Sequence, residues 1–172
     1  DFERAEFLNL LIYQKNIQIK APECLELCEQ ALKILHYDFS FKDLQQSIIK
    51  EKELLNSYPE SADINSLFDK AEISDRRIIL IRRVLKNLSQ TAYFVDPQLL
   101  VYTNIKMLNN TFEYGISKES VSALASYAVI SGLLGDEPSY AYNLFSAGYR
   151  LAKRFGDYYY KSDVCVKCGN YV

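Results

Sequence analysis

Apolar residues recur along this chain with the spacing of helices almost everywhere. Over residues 2–17 the positions Ala5, Leu8 and Ile12, widened by Phe7 and Leu11, make one helical stripe. Lys20-Ala-Pro22 breaks the stripe, and proline is well tolerated in a helix's first turn. The next helix runs to about His36, with Cys24, Cys28, Ala31 and Leu35 on one face. Ser40 reads as an N-cap with Asp43 three residues on, and Leu44, Ile48, Leu55 and Tyr58 follow until Pro59. Residues 59–74 are the most polar stretch, with one short helix over 64–69. A long helix over about 75–93 carries Ile78, Ile81, Val84, Leu85 and Leu88. Asp96-Pro97 is a start signal, and Val101, Ile105, Leu108 and Phe112 follow it up to a stop at Gly115. Ser117 reads as the next cap, ahead of Val121, Leu124, Ala128 and Leu134, with Gly135 as the stop. Asp136 and Pro138 open a helix that ends at Gly156, and the tail beyond it begins one more.

No segment alternates with period two, so the pattern predicts an all-α protein of about seven to nine helices. Short turns make neighbours in the chain antiparallel. Two hairpins share a spacing. Ala141-x-x-x-Phe145-x-x-Gly148 in the last pair parallels Cys24-x-x-x-Cys28-x-x-Ala31 in the first. Small residues at these positions let a second helix lie close to the first, as in tetratricopeptide repeats. The expected fold is a tetratricopeptide-like, right-handed array of antiparallel hairpins. Residues 1–172 read as one helical-repeat domain, with first helices over 1–58, a polar connection over 59–74 and a second set over 75–172. It reads as part of a longer chain.

Composition changes this picture little. The 172 residues carry a net charge of −2, which supplies no basic field for nucleic acid or acidic membrane. No apolar run approaches the roughly 18–20 residues of a membrane span. The sequons at Asn87 and Asn109 fall inside helical patterns and read as chance matches in a cytoplasmic protein.

Candidate chemistry is sparse. Cys165 and Cys168 resemble half of a zinc knuckle or a redox pair, but no second half stands anywhere in the chain. Cys24 and Cys28 sit on close-packing positions, where free cysteine acts as a small hydrophobe. His36 is the only histidine and falls at a helix end, where it favours the dipole. No P-loop lysine follows Gly132 and Gly135. The reading is therefore no catalytic residue, no metal and no cofactor. Arg76, Arg77, Arg82 and Arg83, with Tyr102 and Tyr127, are the candidate interaction surface.

From about residue 75 onward the pattern becomes more specific. It includes Ala92-Tyr-x-x-Asp96-Pro97, Lys106-Met107-x-Asn109, Gly115, Ser122-Ala123 and Tyr127-Ala128. It continues with Gly132-Leu-Leu-Gly135-Asp136 and Arg150-Leu-Ala-x-Arg154-Phe155, and ECLELCEQALKIL at 23–35 fits the preceding helix pair. This run resembles the helical segment that follows the predicted P-loop ATPase, of signal-transduction type, in large serine/threonine-kinase and sensor-histidine-kinase proteins. The resemblance implies a non-catalytic scaffold in a cytoplasmic multidomain regulator. Its partners would be other domains of the parent chain or a separate signalling protein, with no nucleic acid and no membrane span. A helical domain that senses a small effector in its groove is the alternative.

Overall fold

The computed structural model describes residues 1–171, and helices carry most of them. They are α1 (Phe2–Ile17), α2 (Ala21–Ile34), α3 (Leu44–Ser57), α4 (Pro59–Ala62), α5 (Arg76–Val95), α6 (Pro97–Tyr114), α7 (Ser120–Ser131), α8 (Pro138–Phe155) and α9 (Tyr158–Tyr171). Short 3-10 turns cover Ile64–Asp69 and Gly132–Leu134. Among the described residues no strand forms, only one parallel β-bridge between Glu72 and Ile116. No described helix is long and apolar enough to cross a membrane.

The chain folds into two compact units. Unit 1 takes Asp1–Lys50 and Ser74–Thr103, and unit 2 takes Glu51–Ile73 and the chain from Asn104 onward. The division falls inside α3 and α6.

In unit 1, α1, α2 and α5 pack against one another. Ala5, Leu8 and Ile12 meet Cys24, Cys28, Ala31 and Leu32, and Ile78, Ile81, Leu85 and Leu88 close the core. Polar contacts fix the directions. Arg76 pairs with Glu6 at 3.0 Å near the starts of α1 and α5. Near their ends, Asn16 Nδ2 donates to the Asn87 carbonyl at 3.0 Å and Thr91 Oγ1 to Asn16 Oδ1 at 2.6 Å. So α1 and α5 run parallel. Between them α2 runs the other way, since Arg77, in the first turn of α5, donates to the carbonyls of Leu35 and His36 just past the end of α2.

Unit 2 repeats the plan with α7, α8 and α9. Ser122 donates to Asp163 at 2.8 Å and Lys167 to Ser126 at 2.9 Å, two pairs with the same sequence offset, so α7 and α9 run parallel. Gly148 of α8 lies where they meet. A methyl group there would stand 3.5 Å from Val164 and 3.6 Å from Leu124. The polar stretch ahead of α5 is tied into this unit by backbone bonds. Ile116 N–H donates to the Ala71 carbonyl at 3.1 Å and Ile73 N–H to the Ile116 carbonyl at 2.9 Å. Gly115 turns between them at φ 99°, with the Ala71 oxygen 2.5 Å from where a Cβ would stand.

Two expected caps move. Ser40 closes a local turn with Lys42 instead, and α3 starts only at Leu44. Ser117 begins a turn in which Ser120 Oγ accepts its N–H at 3.0 Å, and α7 starts at Ser120. A short hydroxyl competes for nearby backbone groups in either way, and spacing alone does not separate them.

Candidate functional site

The expected interaction surface divides once the helices are placed. On α5 most positions are buried, and only a narrow outer stripe is open. Arg76 and Arg83, two turns apart, lie on it. Arg82 does not. It falls four residues after Ile78 and three before Leu85, on the packed face, and is buried. Arg77 is exposed at the first turn, but its guanidinium holds the carbonyl end of α2, at 2.7 Å from the Leu35 oxygen and 2.9 Å from that of His36. A cation there satisfies carbonyls that have no partner within the helix.

The two tyrosines are interior, which corrects their placement on a surface. Tyr102 is buried in unit 1 with its ring 4.7 Å from that of Phe39, and its hydroxyl accepts from Ser40 N–H at 3.5 Å. Tyr127 is fully buried in unit 2. Their helices present these positions to the core, and an aromatic ring with a hydrogen-bonded tip suits such a place.

The stripe on α5 carries more than the arginines. Lys86, Gln90, Tyr93 and Phe94 continue it, and Tyr93 and Phe94 are exposed with their rings edge to face at 5.1 Å. Cations thus occupy the first half and aromatics the end. Sequence reasoning missed Tyr93 and Phe94 because they stand beside the Asp96-Pro97 start signal and were absorbed into the helix end. The signal that could have found them is their register with Arg76, Arg83 and Gln90 on a helix whose other faces are apolar.

Unit 2 holds a cluster of charged and phenolic groups. Lys52, on α3, places Nζ 2.7 and 2.9 Å from the Asp136 carboxylate oxygens. Tyr127 donates to the same carboxylate at 2.9 Å, and Lys52 also bonds its hydroxyl. Burial, then the neighbouring Asp136 charge, pushes the Tyr127 phenol far up. Burial pushes the adjacent Tyr140 phenol up to about 12. Phenols held neutral in this way do not act as bases near neutral pH. A second cluster stands beside it, with Lys106 3.1 Å from Glu51 and Asn109 Nδ2 2.8 Å from the other oxygen of that carboxylate. Both clusters clamp α3 to the rest of the unit. Asp136, expected to open α8, spends its carboxylate here, and Glu137 takes the cap position without a side-chain bond.

The cysteines divide by burial. Cys24 and Cys28 are enclosed in unit 1, and burial pushes both thiols up, away from the reactive thiolate. Cys165 is exposed and Cys168 half-buried on α9. Among the described residues no three of His, Cys, Asp and Glu gather as a metal site would. His36 stands just past α2 in the left-handed region, at φ 50°. The two sequon asparagines are buried, with Nδ2 of Asn87 on Asn9 and that of Asn109 on Glu51.

No protein-family model, curated protein or solved structure matches the chain.

Proposed function

We propose that the chain is a non-catalytic helical-repeat scaffold, tetratricopeptide-like in packing, inside a cytoplasmic signalling protein that also carries ATPase and kinase parts. The observation that carries the reading is the packing order found in each unit. Two parallel helices enclose an antiparallel one, α1–α2–α5 and again α7–α8–α9. Stacked hairpins put the first helix of one pair beside the first helix of the next in just this way. The small positions Ala31 and Gly148 fall on the middle helices, both buried. The resemblance to the segment behind signal-transduction ATPases points the same way.

On this reading the α5 stripe is where a partner docks. Arg76, Arg83 and Lys86 would take the acidic half of a partner segment, and Tyr93 with Phe94 its apolar half. The partner is another domain of the parent chain or a separate signalling protein.

The test is affinity capture from lysate of the source organism, read by quantitative mass spectrometry. The wild-type chain is compared with a variant carrying Arg83→Glu and Phe94→Glu whose circular dichroism is unchanged. Retention of parent-chain domains, or of one signalling protein, that the variant loses supports the scaffold. An identical retained set for both chains rejects the stripe. A metabolite that raises the melting temperature of the wild type would instead favour an effector-sensing domain.

A further inference from the structure

The first helix is apolar on two opposite sides. One side, Ala5, Leu8 and Ile12, is the core of unit 1. The other faces outward, with Phe7 60%, Leu10 66%, Tyr13 57% and Ile17 67% exposed. Single exposed apolar residues are ordinary, but a continuous patch of large ones marks a contact surface.

The order within the patch says what kind of surface it is. Phe7, Leu10, Gln14 and Ile17 follow one another at intervals of three, four and three residues. That is the seam spacing of a coiled coil, and it fits another helix better than a loop or a sheet edge. Gln14 is the one polar residue in the seam, at a position where a polar side chain fixes register and orientation.

The seam is also complementary to itself. In an antiparallel pair centred between Leu10 and Gln14, Phe7 meets Ile17 of the second copy and Leu10 meets its Gln14. The two Glu3 side chains then lie at opposite ends of the pair. A parallel pair would stack Glu3 on Glu3. Charge therefore selects the antiparallel arrangement. Covering what these four residues expose removes about 500 Å² per copy, or about 1,000 Å² in all, the size of a weak, transient interface.

We propose that the outer face of α1 is a homodimer seam, on which a second copy of this chain lays its own α1 antiparallel. The small area makes the dimer reversible and dependent on concentration. A two-fold axis across the seam gives each pair of scaffolds two docking stripes, which raises the avidity of any partner that is itself paired.

Sedimentation velocity over a concentration series is the first test. A monomer–dimer equilibrium is expected, and Leu10→Glu should weaken it by at least about thirtyfold. Both positions are on the outer face, so Leu10→Glu and a second variant, Ile17→Glu, should keep the melting temperature that the wild type has when diluted to monomer. Orientation is read by cross-linking in a background with Cys165→Ser and Cys168→Ser. Leu10→Cys mixed with Gln14→Cys should form a mixed disulfide dimer, and Gln14→Cys alone should not. A chain that stays monomeric throughout overturns the proposal, even if a helix of another protein is found on the seam. A dimer that both glutamate variants leave intact also overturns it, as does self-cross-linking of Gln14→Cys in preference to the mixed pair.

Discussion

The two units share a packing plan and differ in how their helices stop. In unit 2 the chain leaves the α7 and α8 regions through Gly135 at φ 78° and Gly156 at φ 63°. In unit 1 it leaves α1 and α2 through Ile19 at φ 57° and His36 at φ 50°. The hydrogen bonds are the same four times over. Lys20 N–H reaches the Lys15 carbonyl and Ile19 N–H that of Asn16. Tyr37 and His36 repeat the pair on Leu32 and Lys33, Asp136 and Gly135 on Ser131 and Gly132, and Asp157 and Gly156 on Ala152 and Lys153. This is the Schellman closure, which usually places glycine at the left-handed residue. Any other residue there costs roughly 1–2 kcal/mol in backbone strain. The comparison teaches that the hydrogen-bond pattern and the burial behind it, not the glycine, end these helices.

The sharpest way to break the comparison lies in unit 2, at its third left-handed glycine. Gly115→Ala should cost about 3–4 kcal/mol. The φ of 99° is strained for any side chain, and the new methyl would stand 2.5 Å from the Ala71 oxygen, a backbone atom that cannot turn aside. Chemical denaturation measures the loss. A cost below about 1 kcal/mol would mean that the 71–73 segment moves freely from the bridge.

Alkali should act on unit 2, where burial pushes the phenols of Tyr127 and Tyr140 up. Tyr140 is held neutral up to about 12, above the value near 10 of an unfolded chain. Its contribution is therefore complete below pH ~10 and is lost as pH rises from about 10 towards 12, by about 2 kcal/mol at the end of that range. Tyr140→Phe should flatten this part of the stability–pH curve, and an unchanged slope would remove Tyr140 as its source.

Asp136→Asn should cost about 2 kcal/mol, less than a fully buried pair because Lys52 and Asp136 retain some exposure. It leaves Lys52 Nζ and the Tyr127 hydroxyl facing an amide in place of a charge. A double-mutant cycle with Lys52→Met separates the pair energy from the desolvation of each group, and a coupling of zero would make the clamp dispensable.

Exchanging the stops is a smaller effect and tests the comparison itself. Ile19→Gly should gain about 1 kcal/mol, since Ile19 is exposed and β-branched and gives up little on removal. His36→Gly should gain about half as much, because histidine tolerates the left-handed region better. Gly135→Ala and Gly156→Ala should each lose about 1 kcal/mol, for a Cβ at either meets nothing within 4 Å and only the backbone term remains. Loss on Ile19→Gly would show that Ile19 earns its place through a contact, as on the dimer seam beside Ile17.

These stops mark the limit of what the sequence makes legible. Glycine at 115, 135 and 156 announces a helix end by its own chemistry, and each end falls there. Ile19 announces nothing, because its conformation is imposed by the packing of α1 and α2. The helices and their core faces were readable from apolar spacing, down to Cys24, Cys28 and Ala31 on one buried face. The pairing of α1 with α5 was not, because four intervening segments separate them in the chain. Candidate sites fared least well. Arg82, Tyr102 and Tyr127 look alike in sequence to exposed residues, and only the rotation of each helix shows that they point inward. The cluster of Lys52, Tyr127 and Asp136 joins residues from three separate segments, and no local spacing reports it.

The gentlest substitution bears most directly on the shared plan. Ala31 in α2 and Gly148 in α8 hold corresponding places, three residues after Cys28 and Phe145. Gly148→Ala makes the second unit copy the first. The new methyl would meet Val164 at 3.5 Å and Leu124 and the Val121 carbonyl at 3.6 Å, all ordinary contact distances. Alanine is also the better helix former by up to about 1 kcal/mol. The variant should therefore gain about 0.5 kcal/mol, once some adjustment of α9 is allowed for. Gly148→Leu should instead lose about 3 kcal/mol, because the larger side chain must drive α9 away from α7. If alanine already costs stability, α8 sits closer to its two neighbours than α2 does to α1 and α5. The two units would then share a topology without sharing a packing distance, and the repeat would be one of order rather than of dimensions.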